Sequence, residues 1–227
     1  MKRYLGAATM LLLAGCLNTE PITITLPFDL NVVGEDWTPG VANVPADQVT
    51  EVDLVAELRS LPAAVATGRN GLYLAGTNLT GDMLLYLQKR FSGLAPNSTF
   101  TAALAVEYAT DIHSGCTTGV GPSTFIKAGA TLLALSQAPD DQGILRLTHD
   151  LGDHTTGGDF TRLGDIRNGL TGCPTPGTFA GRATITQTQR VTITTDIDGG
   201  FVLFLGVDSS ALGRVEIYFI SILLVLT

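Results

Sequence analysis

Apolar and polar residues alternate with a period of two along much of this chain. Phe100, Ala102, Leu104, Val106 and Tyr108 form the clearest run, and Ile22-Thr23-Ile24-Thr25-Leu26 repeats the pattern near the start. A period of two sends successive side chains to opposite faces of a strand. On this basis strands are predicted at 22–26, 71–75, 83–91, 100–108, 125–135, 144–148, 183–189, 191–195, 201–207 and 214–226. Turn residues separate most of them, as in Gly93-Leu94-Ala95-Pro96-Asn97-Ser98 and Asp198-Gly199. Residues 34–48 hold Gly34, Pro39, Gly40 and Pro45 and read as loop. Residues 49–59 fit a strand through Val52, Leu54, Ala56 and Leu58, and a helical face through Val49, Val52, Val55 and Leu58; strand is preferred. The run 215–226 is apolar on both alternating faces. It is shorter than the roughly 20 residues of a membrane-spanning helix and is interrupted by Glu216, so it reads as a central strand covered on both sides. Many short strands and no strong helical period predict an all-β sandwich or barrel.

The first sixteen residues follow another pattern. Lys2 and Arg3 precede an uncharged stretch centred on Met10-Leu11-Leu12-Leu13, which ends in Leu13-Ala14-Gly15-Cys16. This order resembles the lipobox signal of bacterial lipoproteins. The resemblance implies that residues 1–15 are an export signal. Cys16 would then carry a diacylglyceryl group as the first residue of the mature chain, 16–21 would be a tether, and 22–227 one domain. The alternative is an ordinary signal peptide with a chance cysteine. Each acyl CH₂ buried in a bilayer contributes about 0.8 kcal/mol, so several chains on one residue make a stable anchor. In this resemblance Leu17, where an Asp would imply inner-membrane retention, implies the outer membrane, and the localisation expected is the cell envelope.

Removing residues 1–15 removes Lys2 and Arg3 and no acid, which takes the formal charge from −8 to −10. No basic stripe is present, so nucleic acid is not an expected partner. Attraction to anionic lipid heads is not expected either, and the membrane contact falls to the lipid on Cys16. Of the three cysteines, Cys116 and Cys173 are left as a pair. In an oxidising compartment an even pair reads as a disulfide, worth typically about 2–4 kcal/mol. Two free thiols or half a metal site are the alternatives. Both lie in Gly-, Pro- and Thr-rich stretches, so the bridge is expected to pin loops together on one side of the domain.

Phe28-Asp29-Leu30 with Glu35-Asp36-Trp37, the 93–100 turn entering an alternating strand, and Gly206-Val207-Asp208-Ser209-Ser210 leading to Val215-Glu216-Ile217-Tyr218-Phe219 together resemble jelly-roll sandwiches of the galactose-binding or carbohydrate-binding-module type. They are also similar to bacterial secreted proteins and lipoproteins with the same layout. The resemblance spans most of 22–227 and rests on structural motifs. It implies a jelly-roll-like antiparallel β-sandwich and a glycan as ligand. Such modules often place an Asp before the last apolar residues. Here Ile220-Ser221-Ile222 stands there, so no terminal calcium ligand is carried over.

Trp37, the only tryptophan, is the first candidate for a ligand contact, because aromatic faces stack on sugar rings. A place between the sheets is its alternative. Tyr73, Tyr86 and Tyr108 lie in strands and read as packing. His149, Asp153 and His154, with Asp150, Asp159 and Asp165 near them, combine imidazole and carboxylate as a divalent metal needs, but no zinc signature fits their spacing. The other reading is a solvated loop. Asp196-Ile197-Asp198-Gly199-Gly200 lacks the remaining ligands of a calcium loop and reads as a turn. No cofactor is required, and a structural calcium ion is the one considered. No Gly-x-Ser-x-Gly elbow surrounds Ser123, and neither Glu107 nor Asp140-Asp141 forms a carboxylate pair that spacing can select. Three functions remain open: a non-catalytic binding module for a glycan, an assembly lipoprotein that binds another envelope protein, and a hydrolase.

Overall fold

A computed structural model describes residues 20–28, 37–150, 160–173, 179 and 183–227, with 183–190 described by backbone alone. Strands are numbered in chain order. The first sheet runs β12 (Ala183–Thr194), β7 (Thr99–Ala109), β14 (Gly213–Leu226), β5 (Asn70–Asn78), β4 (Val55–Ser60), and β1 (Ile22–Pro27) pairs with the end of β14. The second sheet runs β11 (Phe160–Asp165), β8 (Thr124–Thr131), β13 (Phe201–Ser209), β6 (Met83–Phe91), β2 (Thr38–Ala42). A small third sheet joins β3 (Val44–Pro45), β10 (Ile144–Leu147) and β9 (Gln137–Pro139). All pairings are antiparallel. The chain crosses between the two large sheets at β1–β2, β5–β6, β6–β7, β7–β8, β11–β12, β12–β13 and β13–β14, which is jelly-roll connectivity. The expected all-β jelly-roll sandwich is the observed fold.

The alternation explains the core. Leu104 and Val106 of β7, Ile217 and Phe219 of β14, and Leu203 and Leu205 of β13 all point between the sheets and are buried. Each such side chain contributes about 1.5–3 kcal/mol by leaving water. The other faces of β13 and β14 also carry buried apolar side chains, at Phe204, Tyr218 and Ile220, because those faces are covered there. Phe204 and Tyr86 pack with Leu135 and Phe160 over the second sheet, and Tyr218 and Ile220 pack with Leu61 and Phe179 over the first. The expectation that 215–226 is a central strand covered on both sides holds for its first half; further on, Leu223 is exposed.

Several local expectations are corrected. Residues 38–42 form β2 and not loop. Pro39 is tolerated because, among the described residues, β2 is an edge strand that pairs with β6 alone. Gly40 is needed because a Cβ there would strike the buried Tyr86 ring. Residues 49–59 are divided between two elements. Ala46–Val52 is a 3₁₀ turn, which suits the spacing of three between Val49 and Val52, and the left-handed Asp53 (φ 51°) ends it before β4. The two strands expected over 183–195 are one, β12, whose register against β7 shifts between Thr186 and Arg190. The strand expected over 125–135 stops at Thr131, and β9 and β11 carried no clear period.

Candidate functional site

The register places the ends of β5, β11 and β13 beside the starts of β6, β8 and β14, at one end of the sandwich. Two segments cross this end, one leaving β7 and one leaving β11, and they are zipped together. Thr110 Oγ1 donates to the Ile166 carbonyl at 2.9 Å, and Asn168 Nδ2 donates to the Thr110 carbonyl at 3.1 Å. Backbone bonds Asn168 N to Ile112 O (2.9 Å) and Ser114 N to Leu170 O (2.8 Å) continue the zipper. Tyr108 Oη donates to the Arg167 carbonyl at 2.6 Å, and burial pushes this phenol far above its ordinary range. Gly115 passes so close to Gly172 that a Cβ would strike its backbone. The Cys116–Cys173 disulfide closes the zipper, with Cα atoms 4.7 Å apart. The predicted bridge is present, and it pins loops on one side of the domain.

Beside the disulfide lies a cleft of about 490 Å³, within the range of small-ligand sites. Ile112, Val120, Ile166 and the disulfide form its apolar wall, and Asp111, Arg214 and Glu216 are its charged residues. Arg214 and Glu216 flank Val215 on β14. Val215 is in the core, so strand alternation turns its neighbours out toward the cleft. Arg214 Nε donates to Glu216 Oε1 at 2.8 Å, and its Nη1 donates to Asp53 Oδ2 at 2.9 Å. Burial alone would lower the Arg214 pKa. Its hydrogen bonds with Glu216, Tyr73 and Asp53 outweigh that and hold the guanidinium charged. Planar charged groups and aliphatic side chains lining one cleft can grip the hydroxyls of a ring and cover its C–H surface.

The residues singled out from the sequence lie elsewhere. Trp37 is 8% exposed, with its ring 5.6 Å from that of Phe28, inside the core. This is the place between the sheets that was the alternative to a ligand contact. Tyr73, Tyr86 and Tyr108 are buried, as their strand positions implied. His149 lies at the opposite end, in a shallow hollow with Leu132, Leu133, Thr192 and Thr194, and its Nδ1 is 3.2 Å from Thr148 Oγ1. Asp153, His154 and Asp159 lie outside the described residues, as does Cys16. Asp165 is not near His149: it ends β11 at the cleft side, where Arg167 forks its carboxylate at 3.0 and 2.7 Å. Among the described residues no group of three or more His, Cys, Asp or Glu is placed to hold a metal ion. Asp196 Oδ1 accepts from the Asp198 and Gly200 amides, the turn expected there. Asp140 does the same for Gln142 and Ile144, and Glu107 accepts from Ser221 Oγ at 3.1 Å. Asp111, Arg214 and Glu216 carried no motif; the one hint was two charges at the start of an otherwise apolar strand.

No protein-family model matches the sequence, and no curated protein matches it. Solved structures give distant likenesses. A carbohydrate-binding module, TmCBM27, studied for specific mannan recognition, is 14% identical with a TM-score of 0.44, over 92% of this chain and 99% of that one. The K1 cleaved adhesin domain of Lys-gingipain from Porphyromonas gingivalis W83 is 13% identical with a TM-score of 0.39, over 88% and 97%. The enzymatically active domain of bacteriophage CBA120 tailspike protein 4 is 10% identical with a TM-score of 0.36, and this chain spans only 19% of its length. At these values the likenesses carry nothing about ligand or activity.

Proposed function

We propose that this protein is a lipid-anchored, non-catalytic binding module of the bacterial cell envelope, and that a glycan is the ligand of the cleft beside the Cys116–Cys173 bridge. The observation that carries the reading is the cleft itself: about 490 Å³, lined by charged Asp111, Arg214 and Glu216 together with aliphatic Ile112, Val120 and Ile166. The exported, anchored state rests on the Lys2–Arg3 start and the Leu13-Ala14-Gly15-Cys16 box. Outer-membrane placement rests on Leu17.

The test is a glycan-array screen of the detergent-solubilised mature protein, with calcium and again with chelator. Selective binding is expected. It should fall at least about tenfold (1.4 kcal/mol) in Val120→Phe, which fills the cleft, and in Arg214→Gln, which removes its cation. Thermal unfolding of both variants checks that they are folded. Loss of binding with chelator alone would add a metal to the site. Binding that is unchanged in Val120→Phe, or absent from folded wild-type protein, overturns the glycan reading and turns the search to an envelope-protein partner.

A further inference from the structure

The two ends of the jelly roll are unlike. Ile22 pairs with Leu226, Thr99 with Thr194, Phe91 with Phe201, and Thr131 with Val202. The start of β1 therefore shares one end with the turns after β6, β8 and β12, and the cleft lies at the other. Five residues, 17–21, separate Cys16 from the start of β1, and the six Cα–Cα steps from Cys16 to Ile22 can span roughly 20 Å at full extension. The same end exposes large aliphatic side chains at its turn tips: Leu133 is 74% and Ile197 75% exposed, with Leu132 and Ile22 about half that. Its charge is self-compensated where Arg90 pairs with Asp196.

From this juxtaposition we infer that the turn end is a membrane-facing surface, which sets Leu133 and Ile197 into the boundary between lipid headgroups and acyl chains and points the cleft away from the bilayer. The inference rests on the proposed lipidation of Cys16, because the short tether is what holds this end at the bilayer. Burial of two exposed aliphatic side chains adds an apolar contact to the anchor. The contact is not electrostatic: the mature chain is strongly acidic, and the cations at the end of β6 are engaged, Lys89 with the Phe91 ring and Arg90 with Asp196. Leu212 is an internal comparison, since it is 65% exposed but sits at the cleft end, between β13 and β14.

The experiment reconstitutes the mature protein in phosphatidylcholine vesicles. Leu133→Cys, Ile197→Cys and Leu212→Cys are each labelled with an environment-sensitive fluorophore and quenched by nitroxide lipids. Quenching several-fold stronger at 133 and 197 than at 212 is expected, unchanged between about 0.1 and about 1 M salt. Equal quenching at all three sites, strongest quenching at 212, or loss of quenching in high salt overturns the inference. So does burial of the 133 label in a larger species without vesicles, which would mean self-association. Mass spectrometry of the N-terminal peptide separates the two claims. A Cys16 without diacylglyceryl overturns the anchor and the orientation with it, whereas a lipidated Cys16 with no quenching at 133 or 197 keeps the anchor and overturns the face.

Discussion

Lys127 of β8 and Asp208 of β13 form an ion pair at 2.8 Å on the outer face of the second sheet, with side chains only 2% and 7% exposed. Ile126 and Val207, one residue before each, point into the core, so the pair lies on the covered outer side. Two unit charges 2.8 Å apart attract by about 6 kcal/mol at an effective dielectric of about 20. Taking each ion out of water costs several kcal/mol, so the pair as a whole contributes little net stability. Breaking it is another matter. Lys127→Met leaves Asp208 buried without its ammonium and is expected to destabilise by about 3–5 kcal/mol. Asp208→Leu should do the same from the other side. The double variant Lys127→Met/Asp208→Leu removes both charges and should lie within about 1 kcal/mol of the parent, or above it. Urea unfolding of the oxidised protein, followed by circular dichroism, measures all four corners of this cycle. A single variant that costs under about 1 kcal/mol, or a double variant as unstable as the sum of the singles, would refute the reasoning. The pair also fixes register, since a one-residue slip of β8 against β13 would turn Lys127 into the core.

Two further outcomes are expected. The disulfide joins residues 57 apart, for which the chain-entropy relation gives about 4 kcal/mol, so Cys116→Ser/Cys173→Ser should lose about 2–4 kcal/mol in urea unfolding, and a loss below about 1 kcal/mol would contradict this. Burial raises the pKa of Tyr73, Tyr86, Tyr108 and Tyr218. A raised folded-state pKa means that this stability is whole below the unfolded phenol pKa of about 10 and declines as pH climbs beyond it. Phenolate absorbance should therefore lag that of free tyrosine and rise together with alkaline unfolding. Ordinary titration near pH 10 with the circular dichroism unchanged would contradict it.

Where one face of a strand meets the core and the other meets water, the period of two located it: β7 was found to within one residue at each end. β14 was legible for the opposite reason, its two apolar faces marking a strand covered on both sides along its first half. β2 was hidden because Pro39 and Gly40 look like turn residues. An edge position excuses the proline, and the Tyr86 ring requires the glycine, and both facts are tertiary. β11 was hidden because it is short and its register shifts between Arg162 and Gly164, which breaks the period. Trp37 shows the limit for single residues. A lone aromatic in a loop-like stretch suits a ligand or a core equally, and only its neighbour Phe28 decides.

The cleft lies beyond local reading, because four separate stretches build it: 111–121, 166, 173 and 214–216. Jelly-roll crossings bring them to one end, and no spacing along the chain reports a crossing. The cysteine pair was the one non-local constraint that could be read, and it marks the correct end. Arg214 and Glu216 carried the second signal. On an apolar strand whose residue 215 is committed to the core, flanking charges must face outward together, and here outward is toward the cleft. An isolated pair of like-facing charges at the mouth of a core strand, next to a disulfide-pinned loop, is thus a pattern that ties strand alternation to a site. The ligand depends on what the far ends of those side chains reach, which alternation leaves open and the cleft-filling Val120→Phe variant addresses directly.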